Sequence, residues 1–565
     1  MSYLRRFLIS LLTCFTIFSA TFAQGERPPS AAAPPSYTTY NNITRDFAPM
    51  WSPDGKQIAY YSGSRSTGFK LYIVSLRGGA SKPIFDDQYD YFHPAWSPDG
   101  HRLAFTSNRS GQFQVWAMKP DGTDLMQLTS ISADYLVYPR WSPDGKQIAF
   151  ASYPGPHIWI ASANGGEPKI IADGISPAWS PDGKRVAFTA TFWNSSWAAI
   201  KEIGGSATRR LASSSTESGV GFAEQTVDWS PDGQRLLTTE LSDGAWHAQI
   251  INIAEDKVER KIPVNGSVVA PRWSPDGKRI VFSLENTDRP LAIQVSNLDG
   301  AERKEVTRPA SYNTAQLIRY QSADGVVIPG FLYSPRLAGQ AKRPALVWLH
   351  GGFPGVVGNQ FIAPIQYLVD NGYVVLIPAY RPSSGFGKEL AKLDNPQKTM
   401  EDIAAAVSYL HGLQQVDGIH IGIIGESFGG LAMLNFIAQQ PDLFAAAVDF
   451  SGPTDLITWF RDTPGSRLLL TLGLGGTPEQ KPELYRALSP VNVVGRIKTP
   501  LLIVHGDADQ LVPLSQASEI VEALKKEHKE HEYVVIRGGD HAFFRKGWAE
   551  VMPQTLRFLS ARLRR

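Results

Sequence analysis

The sequence predicts a two-part β plus α/β protein: a six-bladed β-propeller followed by an α/β domain. Three observations carry this. A pentapeptide, Trp-Ser-Pro-Asp-Gly, begins at Trp51, Trp96, Trp141, Trp179, Trp229 and Trp273, at steps of 45, 45, 38, 50 and 44 residues. The repeat stops before Ser311, and apolar strands then alternate with helical stretches. A Gly-rich turn around Ser427 sits between one such strand and one such helix.

Each repeat has the same local logic. Pro presets the first turn position, while Asp and Gly tolerate the conformations that close a tight hairpin. Alternating apolar residues follow, as in Gln57-Ile58-Ala59-Tyr60 and Arg185-Val186-Ala187-Phe188. A second short strand such as Leu71-Tyr72-Ile73-Val74 comes next, then a Gly-containing turn such as Asp121-Gly122. Strand, turn, strand, turn at a near-even period marks propeller blades. Six copies imply six blades, with a degenerate seventh as the alternative. The Trp residues are expected to pack between blades, since every blade carries one.

Ahead of the repeats, Arg5 and Arg6 precede an apolar run from Phe7 to Phe18 and the small-residue stretch Ser19 to Ala23. This reads as a secretory signal over residues 1–23, and the run is too short to span a bilayer comfortably. A Pro-rich linker is expected over 24–36, the propeller over 37–310 and the second domain over 311–565. The single cysteine, Cys14, lies inside the signal, and Thr13 before it argues against lipidation. The mature chain is then free of thiols, with no disulfide, sulfur-based zinc site or cysteine nucleophile. Such a protein suits the periplasm or the exterior. Loss of Arg5 and Arg6 takes the formal charge from +2 to about zero, so no basic excess attracts nucleic acid or an anionic membrane.

In the C-terminal half, strands are expected at Ala345–Leu349, Val374–Ile377, His420–Ile424, Ala446–Phe450, Leu501–Val504 and Tyr533–Ile536, with helices between them. This pattern predicts a mostly parallel sheet covered on both faces. Gly425-Glu426-Ser427-Phe428-Gly429 follows the third of these strands and opens an apolar helix at Leu431. The motif alone arises by chance in roughly one chain in five of this length. The strand–turn–helix setting makes it a nucleophile elbow, and the domain an α/β-hydrolase.

The partners follow in the order Ser, acid, His. Asp509 lies in the loop after Leu501–Val504, and His541 in the loop after Tyr533–Ile536. Loops at the C-terminal ends of parallel strands are where such a sheet places its chemistry. The predicted catalytic residues are therefore Ser427, Asp509 and His541, with Asp507 as the alternative acid. The backbone N–H groups of Phe428, Gly351 and Gly352 are expected to form the oxyanion hole. This chemistry needs no metal and no cofactor, and none is expected.

These motifs are similar to those of the prolyl oligopeptidase family of serine peptidases. The stretches that match are His350-Gly351-Gly352, Tyr380 to Gly387, the elbow, Ser489-Pro490 to Ile503, and the two loops carrying Asp509 and His541. The pentapeptide resembles the TolB-like propeller repeat, and a propeller before the hydrolase is that family's architecture. The resemblance implies a peptidase acting on short peptides through an acyl-enzyme, with the propeller limiting access. It also places Phe353, Trp459 and Val512 in the substrate pocket.

Departures from the family bear on substrate. Leu511 stands where oligopeptidases carry an arginine that anchors a substrate carbonyl. No Glu-Glu pair is present to hold a free N-terminus, as dipeptidyl-peptidase members do. Glu426 before the nucleophile resembles carboxylesterases, although a carboxylate near a helix N-terminus is also simply favourable. The alternative function is a carboxylesterase acting on small esters. A third reading makes the propeller a binding module for an envelope protein, with the hydrolase secondary.

Overall fold

The computed structural model describes residues 36–564, apart from 65, 79–80, 134, 154, 193–194, 218–225, 337–340, 393–394, 542 and 544–546. The signal segment and nearly all of the linker lie outside the described residues. No helix among the described residues is long and apolar enough to cross a membrane.

Six antiparallel sheets follow one another along residues 45–305. Each begins with an innermost strand that ends at the pentapeptide's Trp, such as Arg45–Trp51, Tyr91–Trp96 and Ser267–Trp273. No seventh sheet occurs among the described residues of this half. The turn is built by the pentapeptide itself. Ser52 Oγ donates to Asp54 Oδ1 at 2.6 Å, the Gln57 N–H donates back to Ser52 Oγ at 2.9 Å, and Gly55 takes φ +67°.

The tryptophans pack between blades as expected. The indole N–H of Trp141 donates to the Ala95 carbonyl at 3.1 Å, Trp179 to Arg140 at 3.2 Å and Trp229 to Ala178 at 3.0 Å, each reaching into the preceding blade. A guanidinium from one blade covers the next blade's indole: Arg185 over Trp229, Arg235 over Trp273, and Arg279 of the last blade over Trp51 of the first. The ring closes by side-chain packing and exchanges no strand. Val281, Ile293 and Val295 pack on Trp51, Ile58 and Tyr60.

The main sheet of the second domain holds eight strands: β1 (Ala315–Gln321), β2 (Val327–Tyr333), β3 (Arg343–Leu349), β4 (Val374–Pro378), β5 (Val416–Glu426), β6 (Ala446–Phe450), β7 (Leu501–Gly506) and β8 (His531–Ile536). Their order in the sheet is β1-β2-β4-β3-β5-β6-β7-β8. The first two join antiparallel, and β3 to β8 run parallel. Both faces are covered, as near-continuous apolar strands require. One core includes Ile403, Val407, Met433, Ile437 and Ile520, and the other Leu368, Tyr373, Val551 and Phe558.

The sequence placed the start of the propeller at residue 37, and here the structure differs. Helix α1 (Tyr37–Asn41) packs on the hydrolase domain. Tyr37 meets Tyr367 edge to face at 5.2 Å, and the Tyr40 hydroxyl donates to Asp370. The described residues thus begin on the hydrolase, cross to the propeller at Arg45 and return near Tyr312. A run of tyrosines in a short segment shows no partner until the fold supplies one.

The domains are joined at one side. The Gly244 N–H donates to the Gly385 carbonyl, and the Asn359 N–H donates to the Gly244 carbonyl. Gln366 donates to the Thr287 carbonyl at 2.7 Å, and Arg45 donates to the Phe361 carbonyl at 2.5 Å. These contacts come from the first, fifth and sixth blades.

Candidate active site

The elbow is formed where β5 meets helix α4 (Phe428–Gln439). Ser427 sits between them at φ 54°, ψ −118°, a conformation costly for a side-chain-bearing residue. Strand and helix can approach this closely because Gly429 has no side chain. A Cβ there would lie 2.2 Å from the Leu349 carbonyl oxygen at the end of β3. The strain projects Ser427 Oγ from the C-terminal edge of the sheet.

The structure brings the three predicted residues together. His541 Nε2 is 2.9 Å from Ser427 Oγ, and His541 Nδ1 is 2.7 Å from Asp509 Oδ2. Asp509 is held from behind: the N–H groups of Leu511 and Val512 both donate to Oδ1 at 2.9 Å. These donors favour the ionised carboxylate. Burial alone would raise the Asp509 pKa. The charge of His541 and hydrogen bonds from His505 and His541 outweigh it, and the group is held well below its ordinary 3.8. Burial alone would lower the His541 pKa. The charge and hydrogen bond of Asp509 prevail, and the imidazole is held above its ordinary 6.5. The alternative acid, Asp507, instead accepts the Gly538 N–H at 2.6 Å and ties the two loops together.

Two of the three predicted oxyanion donors, Phe428 and Gly351, adjoin the nucleophile. Phe428 is the first residue of α4, so its N–H has no acceptor within the helix. Gly351 lies against Ser427, since a Cβ on it would come 3.1 Å from Ser427 Cβ. Gly352 takes φ +91° in the turn that follows. His350 braces this turn. Its Nδ1 lies 2.9 Å from the Gly351 carbonyl oxygen and its Nε2 2.8 Å from Ser383 Oγ. Burial lowers its pKa to about 4 and keeps it neutral. The sequence does not single out Ser383 or the Tyr380 hydroxyl, which donates to the His350 carbonyl at 2.6 Å.

An apolar pocket of about 40 Å³ opens under Phe428, lined by Phe353, Met400, Leu431, Leu456, Leu470 and Leu474 among others. The Phe353 and Phe428 rings meet edge to face at 4.5 Å. Of the three predicted pocket residues, Phe353 lines this space. Trp459 and Val512 lie in the apolar cluster beside it, together with Leu511. The Trp459 indole donates to the Leu511 carbonyl at 2.8 Å, and Val512 uses its backbone to hold Asp509. Their role is to brace the acid loop, and no motif in the sequence reports that. Among the described residues, no group of three or more His, Cys, Asp or Glu is arranged to hold a metal ion.

The model of the prolyl oligopeptidase family matches residues 359–564, and that of the TolB beta propeller domain matches residues 38–174. The hydrolase region, over residues 359–564, belongs to the prolyl oligopeptidase family. Curated relatives include an uncharacterized peptidase, YuxL, of Bacillus subtilis, 28% identical over 366 residues. That match covers 60% of this chain and 53% of the relative, so the chain spans about half of that protein's length. Dipeptidyl aminopeptidase BIII of Pseudoxanthomonas mexicana is 29% identical over 246 residues, covering 40% of this chain and 35% of that one. Among solved structures, the acylaminoacyl peptidase of Pyrococcus horikoshii superposes with a TM-score of 0.75 at 18% identity, covering 94% of this chain and 98% of that chain. A puromycin-hydrolyzing peptidase of Mycobacterium tuberculosis gives a TM-score of 0.64 at 17% identity, covering 96% and 98%. At such identities these likenesses establish the two-domain fold and nothing of the substrate.

Proposed function

We propose that this protein is a serine peptidase that hydrolyses short peptides through an acyl-enzyme. The observation that carries this reading is the continuous line from Ser427 Oγ through His541 to Asp509, at 2.9 and 2.7 Å. Ser427 attacks the carbonyl while His541 Nε2 takes its proton. Asp509 holds the Nδ1–H tautomer and stabilises the imidazolium. The Phe428 and Gly351 N–H groups receive the oxyanion, and water then releases the acyl group. The pocket under Phe428 accepts a small apolar side chain next to the scissile bond.

The propeller contacts the hydrolase at Gly385 and Asn359 and, in this reading, limits entry to short peptides. The protein acts after export, in the periplasm or outside the cell. Curated relatives named as a dipeptidyl aminopeptidase and an acylamino-acid-releasing enzyme support peptide substrates. The ester reading has one structural support. Leu511 is buried in the cluster beside Trp459, so its side chain does not reach substrate as the family's arginine would.

Blocked and unblocked peptide amides, assayed beside short-chain esters and a folded protein, separate these readings. Cleavage of short amides with the folded protein left intact is expected. Turnover of esters alone would overturn the peptidase reading. Sequencing the N-terminus of the exported product tests processing, with a start at Gln24 expected.

A further inference from the structure

A second buried acid and histidine lie on the strands beside the triad's acid, and the histidine approaches the same Asp509 oxygen that His541 does. Asp449 is on β6 and His505 on β7. Parallel pairing sets Asp449 opposite Ile503. Side chains alternate along a strand, so His505, two residues beyond Ile503, projects from the same face as Asp449. Both side chains are fully buried.

His505 touches the triad directly. Its Nε2 is 2.8 Å from the Val512 carbonyl oxygen and 3.5 Å from Asp509 Oδ2. Both neighbours are acceptors, so Nε2 carries a proton. His505 Nδ1 has no hydrogen-bond partner, and the Asp449 carboxyl meets no side-chain donor, only the backbone of Gly452. The carboxyl fits only because its neighbours are glycines. A Cβ on Gly430 or Gly452 would come within 2.1 or 2.3 Å of Asp449 Oδ1. Stability alone would favour an apolar residue over a buried carboxyl that finds no side-chain donor.

We propose that Asp449 and His505 form a positioning pair that sets the charge beside Asp509 and thereby the basicity of His541. Asp449, His505, Asp509 and His541 make one buried chain of titratable groups, and Ser427 lies at its end. When Asp449 gives up its proton, this buried cluster gains one negative charge. That charge favours the imidazolium that His541 must become during attack. Asp449 is placed to change state near neutral pH. Burial pushes the Asp449 carboxyl up to about 7, against the attraction of His505. Among the described residues, His505 is the one titratable group that acts on Asp449, while Glu426 and Asp540 add their charges to that of Asp509 at His541. The residue facing Asp449 from β5 is Gly425, and α4 and the loop after β6 offer Gly430 and Gly452.

The inference rests on the hydrolase reading of Ser427, and its test keeps the two apart. The rate at which a fluorophosphonate probe labels Ser427 reads nucleophile activation without reference to substrate. That rate is to be measured from about pH 5 to about pH 9 in the full chain, a range that spans both ionisations. Labelling of the wild type whose acid limb shows two ionisations is expected. In Asp449→Asn the limb should fall to one ionisation and the plateau drop roughly tenfold, as one pKa unit of His541 basicity implies. His505→Gln, which keeps an N–H for the Val512 carbonyl, should do the same. A merely structural Asp449 would lower the melting temperature of Asp449→Asn and leave the shape of the limb intact. A one-proton limb in the wild type, or an unchanged limb in a folded variant, overturns the pair and leaves the hydrolase reading standing. A wild type that the probe does not label at Ser427 overturns the hydrolase reading itself.

Discussion

Serine and aspartate are bonded partners in both halves of this molecule, with opposite consequences. In the propeller the contact is direct and is repeated six times, from Ser52–Asp54 at 2.6 Å to Ser274–Asp276 at 2.5 Å. The aspartates sit in turns at the surface, and their pKa values are held low, to about 2 for Asp54 and Asp232, chiefly by the serine hydroxyl. A serine whose hydroxyl already donates to a carboxylate is a turn-former and no nucleophile. In the hydrolase a histidine stands between Ser427 and Asp509, and all three lie at the buried end of a sheet. The carboxylate then acts on the imidazole, and the imidazole on the hydroxyl. The same two residue types thus make a hinge of backbone in one domain and a nucleophile in the other.

Removing the intermediary's partners breaks the comparison most sharply. Ser427→Ala should cost about 10⁶ in kcat, and Asp509→Asn about 10⁴, with melting of the serine variant near wild type. Near-normal turnover by a folded Ser427→Ala protein would remove the triad from the mechanism.

A second variant asks whether buried charge supports the hydrolase alone. Arg381 is bonded to Asp402 through Nε and Nη2 at 2.9 and 2.6 Å, and both groups are out of solvent. Arg381→Met leaves a buried carboxylate unpaired and should destabilise the domain by about 3–5 kcal/mol. Chemical denaturation measures this.

Acidity distinguishes the two sites as well. His541 must be neutral to accept the serine proton, and Asp509 holds its pKa above 6.5. The acid limb of kcat/KM should therefore lie above pH 6.5, and it should move down in Asp509→Asn. Asp509 itself, held below 3.8, contributes stability that is present above about pH 4 and is lost on acidification. An acid limb below that of an ordinary histidine would contradict the pairing.

The smallest effect belongs to a propeller turn. Ser274→Ala removes the hydroxyl that accepts the Arg279 N–H at 2.9 Å and donates to Asp276. It should cost about 1 kcal/mol and leave kcat unchanged. A fall in kcat would mean that the blades couple to the site more tightly than their position implies.

How much was legible follows from the range of each interaction. Pentapeptide turns are closed by bonds within five residues, so six blades could be counted directly. The triad was legible by order and by context, since each member follows an apolar strand. The acid's supports were not. The Leu511 and Val512 amides look like any backbone, and Trp459 reads as a pocket aromatic until its indole is seen on the Leu511 carbonyl. The pairing of α1 with Tyr367 and Asp370 joins residues some three hundred positions apart. No local pattern encodes such a contact.

The sequence by itself determined the two architectures, the elbow and the identity of Ser427, Asp509 and His541, because turns and strand periodicity are local properties of the chain. Only the tertiary structure decided which blades hold the hydrolase, which apolar residues line the pocket, and that Asp449 and His505 stand beside the acid. Those depend on strands β5, β6 and β7 lying side by side in parallel register, which brings distant residues onto one buried face.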